Sequence, residues 1–155
     1  ASTADFIRAE GFCYATVADE GIMDEADAGP LLRYRRMIDA EHIAILADIR
    51  KKHSSHSITG DLTIGDWAHT AEFMGADGVI ITGSATGMAA DLQDATDAGA
   101  ASKLPVFVGS GVTPENLRST LDKAHGVIVG SSIKLEGQWQ NPVDPDRAAQ
   151  LIAAR

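Results

Sequence analysis

Ionisable side chains crowd the end of one apolar run, and Asp48, Arg50, Lys52 and His53 among them sit at or just after Ile-Ala-Ile-Leu-Ala at residues 43–47. A carboxylate at the end of a hydrophobic strand is costly unless it is paired or used. If the strand continues, Asp48, Arg50 and Lys52 share one face by the two-residue period. Such a cluster suits proton transfer, with Asp48 as acid or base, Lys52 as electrophile or phosphate partner, and His53 as a second proton carrier. A plain ion pair fixing the strand end is the alternative. Further along, the apolar runs 106–108 and 127–129 close in Gly109-Ser110-Gly111 and Gly130-Ser131-Ser132. A phosphate needs several donors converging with no side chain in the way, beside a helix start that supplies partial positive charge. These six residues are the candidate phosphate site; glycines that only permit tight turns are the competing reading. Arg8, Glu10, Arg50, Thr82 and Ser84 complete a substrate-lining set by strand parity and position. His53 and His56 lack a third ligand, so neither a metal nor a cofactor is expected. Trp139, in the polar loop 137–141, covers a ligand or packs on a neighbour, and the sequence leaves both open.

Positioning these residues requires strands alternating with helices. The sequence predicts strands at 6–12, 43–49, 79–82, 106–108 and 127–129, the last two buried on both faces because they are short and β-branched. Helices are expected at 31–38, from Thr63 with Asp66 as a capping box, at 91–101, from Thr113-Pro114, and from Asp144-Pro145 onward. Residues 15–29 read as a long acidic loop. The stretches 76–84 and 124–131 are near copies, Ala-Asp-Gly-Val-Ile-Ile and Ala-His-Gly-Val-Ile-Val, which marks an internal βα repeat. Alternation of this kind is the signature of a parallel α/β sheet.

Composition narrows the role. In 155 residues, 22 acidic against 13 basic side chains give a net charge of −9, which argues against a nucleic-acid partner. A single cysteine, Cys13, forms no disulfide framework and, with no signal peptide visible, points to the cytoplasm. No run approaches the ~18 apolar residues of a membrane span. One domain, 1–155, is expected. A full (β/α)₈ barrel needs about 250 residues, so the strand–helix units counted are an open α/β sheet or part of a barrel.

The motifs, in their order, resemble the BtpA/SgcQ family over essentially the whole chain. The resemblance rests on residues 109–116 (Gly-Ser-Gly-Val-Thr-Pro-Glu-Asn), 141–145 (Asn-Pro-Val-Asp-Pro), 83–87 (Gly-Ser-Ala-Thr-Gly), 18–22 (Ala-Asp-Glu-Gly-Ile) and 31–35 (Leu-Leu-Arg-Tyr-Arg). It implies a TIM-type barrel of the ribulose-phosphate-binding superfamily, of which this chain holds about five βα units and lacks the first three strands. It also implies one of two roles. The first is an enzyme acting on a phosphorylated sugar or nucleoside-derived small molecule, with nucleosidase-, lyase- or isomerase-like chemistry. The second is a non-catalytic factor of the photosystem I biogenesis type, or an inactive barrel fragment. Asp48, Lys52 and His53 match the family's Asp…Lys-His strand end, while Arg50 stands where many members carry His. A partial barrel leaves strand edges open, so a homo-oligomer or a partner chain covering that edge is expected.

Overall fold

A computed structural model of the chain describes residues 3–19, 21–83 and 90–155. In chain order the elements are β1 (Phe6–Ala9), β2 (Thr16–Ala18), β3 (Gly21–Met23), α1 (Ala28–Met37), β4 (Ala44–Asp48), β5 (Ser54–Ser55), α2 (Ile64–Phe73), β6 (Gly78–Ile81), α3 (Leu92–Ala101), β7 (Val106–Val108), α4 (Leu117–Leu121), β8 (Gly126–Val127) and α5 (Pro145–Ala153). Five strands form one sheet in the order β1-β4-β6-β7-β8, and every pairing in it is parallel. Successive strands of the sheet lie side by side with a helix in most crossovers, which makes an arc of a (β/α)₈ barrel.

Register divides the strand residues between two faces. Ala9, Ile45, Ala47, Val79, Ile81, Val106 and Val108 face the helices and join one apolar core with Trp67, Ala68, Ala71, Ala95, Ala98 and Leu117. The abundant alanines on α2 and α3 let these helices approach the sheet and each other closely. The opposite face carries Arg8, Leu46, Asp48, Gly78, Ile80 and Phe107 by the same register. Here the repeat has a physical meaning. A Cβ at Gly126 would lie 2.8 Å from the Phe107 ring, and one at Gly78 would lie 2.7 Å from Leu46 Cδ2 and 3.2 Å from Phe107. The two repeat glycines thus flank Phe107 on neighbouring strands and make room for it. The residue before each glycine ties down a neighbouring strand: the Ile45 amide donates to Asp77 Oδ2 at 2.9 Å, and the Val106 amide donates to His125 Nδ1 at 3.1 Å.

Helix starts follow the capping chemistry. Thr63 and Asp66 form the reciprocal box, and the Thr63 hydroxyl and amide hold the Asp66 carboxyl below the usual carboxylate range. Asp91 and Asp144 accept first-turn amides.

Several expectations are corrected. Residues 15–29 are not a loop throughout: β2 and β3 pair antiparallel, and β5 adds to β2, making a small second sheet. The helix expected from Thr113-Pro114 starts only at Leu117 and has five residues, with Asn116 at its N-cap. Asn116 instead bridges the turn, accepting the Thr113 amide and donating to the Gly111 carbonyl. Strand 127–129 shrinks to Gly126–Val127, and Val127 is only half-buried. It is the last strand of the sheet, with no neighbour on its outer side among the described residues.

Candidate functional site

The charged strand end is an interlocked pair of ion pairs. Because β1 and β4 lie in parallel register, Arg8 reaches across to Asp48: Nε donates to Oδ2 at 2.7 Å and Nη2 to Oδ1 at 2.8 Å. This two-pronged contact is the geometry a guanidinium fork makes best. The Asp48 side chain is wholly buried, whereas that of Arg8 is 32% exposed. Burial pushes the Asp48 carboxyl above the usual carboxylate range, outweighing the pull of Arg8. The Asp48 hydrogen bond in turn raises the Arg8 guanidinium further. Next to them, Lys51 Nζ lies 2.8 Å from Glu10 Oε2.

The side chains expected on one face do not all arrive there. The strand ends at Asp48, and Arg50 and His53 take left-handed backbone conformations, with φ of 49° and 57°. Lys51, which the two-residue period leaves out, therefore takes the place beside Asp48. Arg50 is exposed, and its charge acts on Asp94 of α3. His53 is exposed too, and its carbonyl accepts the Asp19 amide at 3.0 Å, tying the loop to the small sheet. The Lys52 amide donates to Thr82 Oγ1 at 3.1 Å, so Thr82 holds the loop that carries Lys52. His56 Nε2 bonds the Lys51 carbonyl at 2.9 Å and packs edge-on against Trp67. Among the described residues no three His, Cys, Asp or Glu side chains gather as a metal would require. Ser84 lies outside the described residues. Cys13 is buried, and burial pushes its thiol up to about 11, away from nucleophilic use.

The two Gly-Ser turns converge. Gly109–Gly111 and Gly130–Ser132 line one cavity of about 440 Å³, in the size range of small-molecule sites. The Ser132 hydroxyl donates to the Val112 carbonyl at 2.6 Å, which joins the two turns. Ser110 is buried, and its hydroxyl accepts the Gly83 amide at 2.5 Å, bracing the neighbouring strand end. Gly111 has φ of 69°, where a side chain is strained, and a Cβ at Gly130 would meet nothing within 4 Å. The positive charge does not come from a helix start, since α4 is short and begins late. It comes from side chains: Lys52, Lys134 and Arg147 all line this cavity. Arg147 Nε donates to the Ser132 carbonyl at 2.9 Å, which fixes its fork beside the second turn. Lys134 and Arg147 are the residues that sequence reasoning missed. The signal for them is weak: each lies on an element after the last strand, and only the fold returns those elements to the glycine turns. Asp48 does not line this cavity; Lys52 is the residue that links it to the loop after β4.

Comparison with known proteins matches this architecture. The sequence model of the BtpA family matches residues 1–155. An uncharacterized mitochondrial protein of Caenorhabditis elegans is 51% identical over 148 residues, covering 96% of this chain and 53% of its own length. The photosystem I biogenesis protein BtpA of Synechocystis is 40% identical over 152 residues, covering 97% of this chain and 52% of that protein. The chain thus spans about half the length of the curated relatives it matches. Among solved structures, 3-hexulose-6-phosphate synthase aligns with a TM-score of 0.61 at 20% identity over 98% of this chain and 62% of its own. Thiamine phosphate pyrophosphorylase of Pyrococcus furiosus aligns with a TM-score of 0.61 at 17% identity, over 97% and 59% of the two chains. These likenesses identify the fold as a TIM-type (β/α)₈ barrel, present here in part. With the family match running over its whole length and relatives at 40% and 51% identity, the chain belongs to the BtpA family.

Proposed function

We propose that the chain carries the phosphate-binding half of a barrel enzyme acting on a phosphorylated sugar or nucleoside-derived small molecule. One observation carries the reading. In a chain with net charge −9, a cavity built on two glycine turns is lined by three cationic side chains and, among the described residues, by no carboxylate. An excess of like charge around a backbone-lined hollow is what a dianionic group requires. The phosphate would occupy Gly109–Gly111 and Gly130–Ser132, with Lys52, Lys134 and Arg147 around it. The reacting end would lie toward the ends of β1 and β4, where Arg8, Glu10, Lys51 and Asp48 meet. There Asp48, its carboxyl raised by burial, is the acid–base candidate, and His53 a second one from the adjoining loop. A buried free thiol suits a reducing compartment such as the cytoplasm.

Calorimetric titration with ribose 5-phosphate and with ribose tests the binding step; heat from the phosphate ester alone supports it, and silence with every phosphate tried sinks it. For the chemical step, Asp48→Asn should abolish turnover of a substrate found by thermal-shift screening. Its phosphate affinity should stay within about twofold, because Asp48 is outside the cavity. Retained turnover removes Asp48 from the mechanism.

The cyanobacterial relative's name supports a second reading, a non-catalytic biogenesis factor acting through protein contacts. Phe6 on the edge strand β1 and Ile152 on α5 are 54% and 75% exposed, which also supports a second copy or a partner chain over the open sheet edges. Sedimentation that shows a stable monomer with no tendency to associate counts against such a cover for this chain. A stability that is indifferent to phosphate would favour the biogenesis reading over the enzyme.

A further inference from the structure

Trp139 stands out among the large apolar side chains because the chain spends order on leaving it uncovered. It is 63% exposed, and it lines the rim of the same cavity as the glycine turns. The segment that presents it is not loose. Leu135 donates its amide to the Pro142 carbonyl at 3.0 Å, and the Asn141 side-chain amide donates to the Leu135 carbonyl at 2.9 Å. The Asn141 amide bonds the Gln138 carbonyl at 3.1 Å, and Lys134 pairs with Val143 across the base of the lobe. Two successive residues, Glu136 and Gly137, take left-handed backbone conformations, with φ of 57° and 69°. For Glu136 that conformation is costly, and such strain persists only where the surroundings hold it. A closed, internally bonded lobe therefore projects an indole over a cation-lined hollow. Among the described residues that indole has no ring partner and no hydrogen bond.

Tryptophan is a large, flat and mostly apolar surface, and leaving it in water is unfavourable unless something lies against it. The cavity has room for more than a phosphate group, and Arg147 is held beside the second glycine turn. We infer that Trp139 is the specificity platform of this site: the ligand is a phosphate ester that also carries a flat unsaturated ring, which stacks on the indole while the phosphate sits in the glycine corner. This rests on the phosphate reading above and adds the ring. Stacking of a nucleobase-sized ring on an aromatic side chain strengthens binding by roughly 5- to 150-fold.

The test is calorimetric titration of the chain and of Trp139→Ala and Trp139→Phe with adenosine 5′-monophosphate, uridine 5′-monophosphate, ribose 5-phosphate and inorganic phosphate. At least one of the ring-bearing esters should bind the unaltered chain roughly 5- to 150-fold more tightly than ribose 5-phosphate. Trp139→Ala should reduce it to the ribose 5-phosphate level, and Trp139→Phe should keep most of the advantage. Ribose 5-phosphate should bind all three proteins alike. A second readout is intrinsic fluorescence: the other tryptophan, Trp67, is buried and only 2% exposed, so quenching by the ring-bearing ester should be lost in Trp139→Phe. If ribose 5-phosphate binds but neither ring-bearing ester binds more tightly, or if Trp139→Ala weakens all the esters equally, the ring platform is wrong and the phosphate corner stands. If no phosphate compound binds, both fall.

Discussion

Replacing Arg8 by Met should lower the stability of the chain by about 3 kcal/mol near neutral pH, the low end of the cost of orphaning a buried charge. The reason is the asymmetry of the pair. The Asp48 side chain has no exposure, so without the guanidinium its carboxylate has lost both of its strongest donors. The low end applies because Arg8 is about a third exposed and water can enter the space it leaves. The pH dependence has a definite sign. The Asp48 carboxyl is already raised above its ordinary 3.8 by burial, so the folded chain holds this proton more firmly than the unfolded chain does. Stability from this group is complete below the ordinary value and is lost as pH rises through the folded one. Removing Arg8 removes the downward pull and moves that loss higher. The deficit of Arg8→Met against the unaltered chain should therefore be larger at about pH 8 than at about pH 4 in urea unfolding. The double variant Arg8→Met, Asp48→Leu should recover most of it, because a matched apolar pair carries no buried charge. A deficit that is equal at both pH values and persists in the double variant would show that Arg8 acts by packing and not through Asp48.

That pair also shows where sequence reading stops. Asp48 at the end of an apolar run was legible as a paired or functional carboxylate, and Arg8 was legible as facing the same mouth. Their bond was not, because it joins strands 40 residues apart whose register only the folded sheet sets. The loop after β4 was misjudged for a local reason. A two-residue period holds only while the backbone stays extended, and the left-handed turn at Arg50 exchanges Lys51 for Arg50 beside Asp48. The small sheet of β2, β3 and β5 was hidden for another reason: its strands are two or three residues long, too short for any period to register. By contrast, the strands at the centre of the large sheet were plain. Val79, Ile80, Ile81, Val106 and Val108 are all buried, so the apolar run itself is the signal. The turns at Gly109 and Gly130 were legible as neighbours at the strand ends, but the charge beside them was not. It comes from Lys134 and Arg147, whose distance from the turns depends on how the chain folds back after β8.

Substituting both Lys52 and Lys134 by Met should weaken inorganic phosphate binding by roughly 10²- to 10⁴-fold while changing the stability of the unliganded chain by no more than about 0.5 kcal/mol per site. Each lysine contributes a charge-assisted hydrogen bond to an anion, worth about 1.5–3 kcal/mol, and the two arrive from different elements, so their losses should nearly add. Neither ammonium forms an ion pair among the described residues, so removing it orphans no partner in the free chain. Met keeps the aliphatic stem that lies along the cavity wall. Arg147 is left in place because its fork also holds the Ser132 carbonyl, and truncating it would loosen the second turn. The measurement is the thermal midpoint with and without phosphate. At a phosphate concentration 100 times the dissociation constant the unaltered chain gains about 2.7 kcal/mol of stability, whereas the double variant at that same concentration should gain almost nothing. Two results would oppose the reading in different ways. A phosphate-induced rise that survives in the double variant would move the anion to another part of the molecule. A large loss of stability in the free double variant would mean that the lysines hold the fold and that the cavity charge is structural.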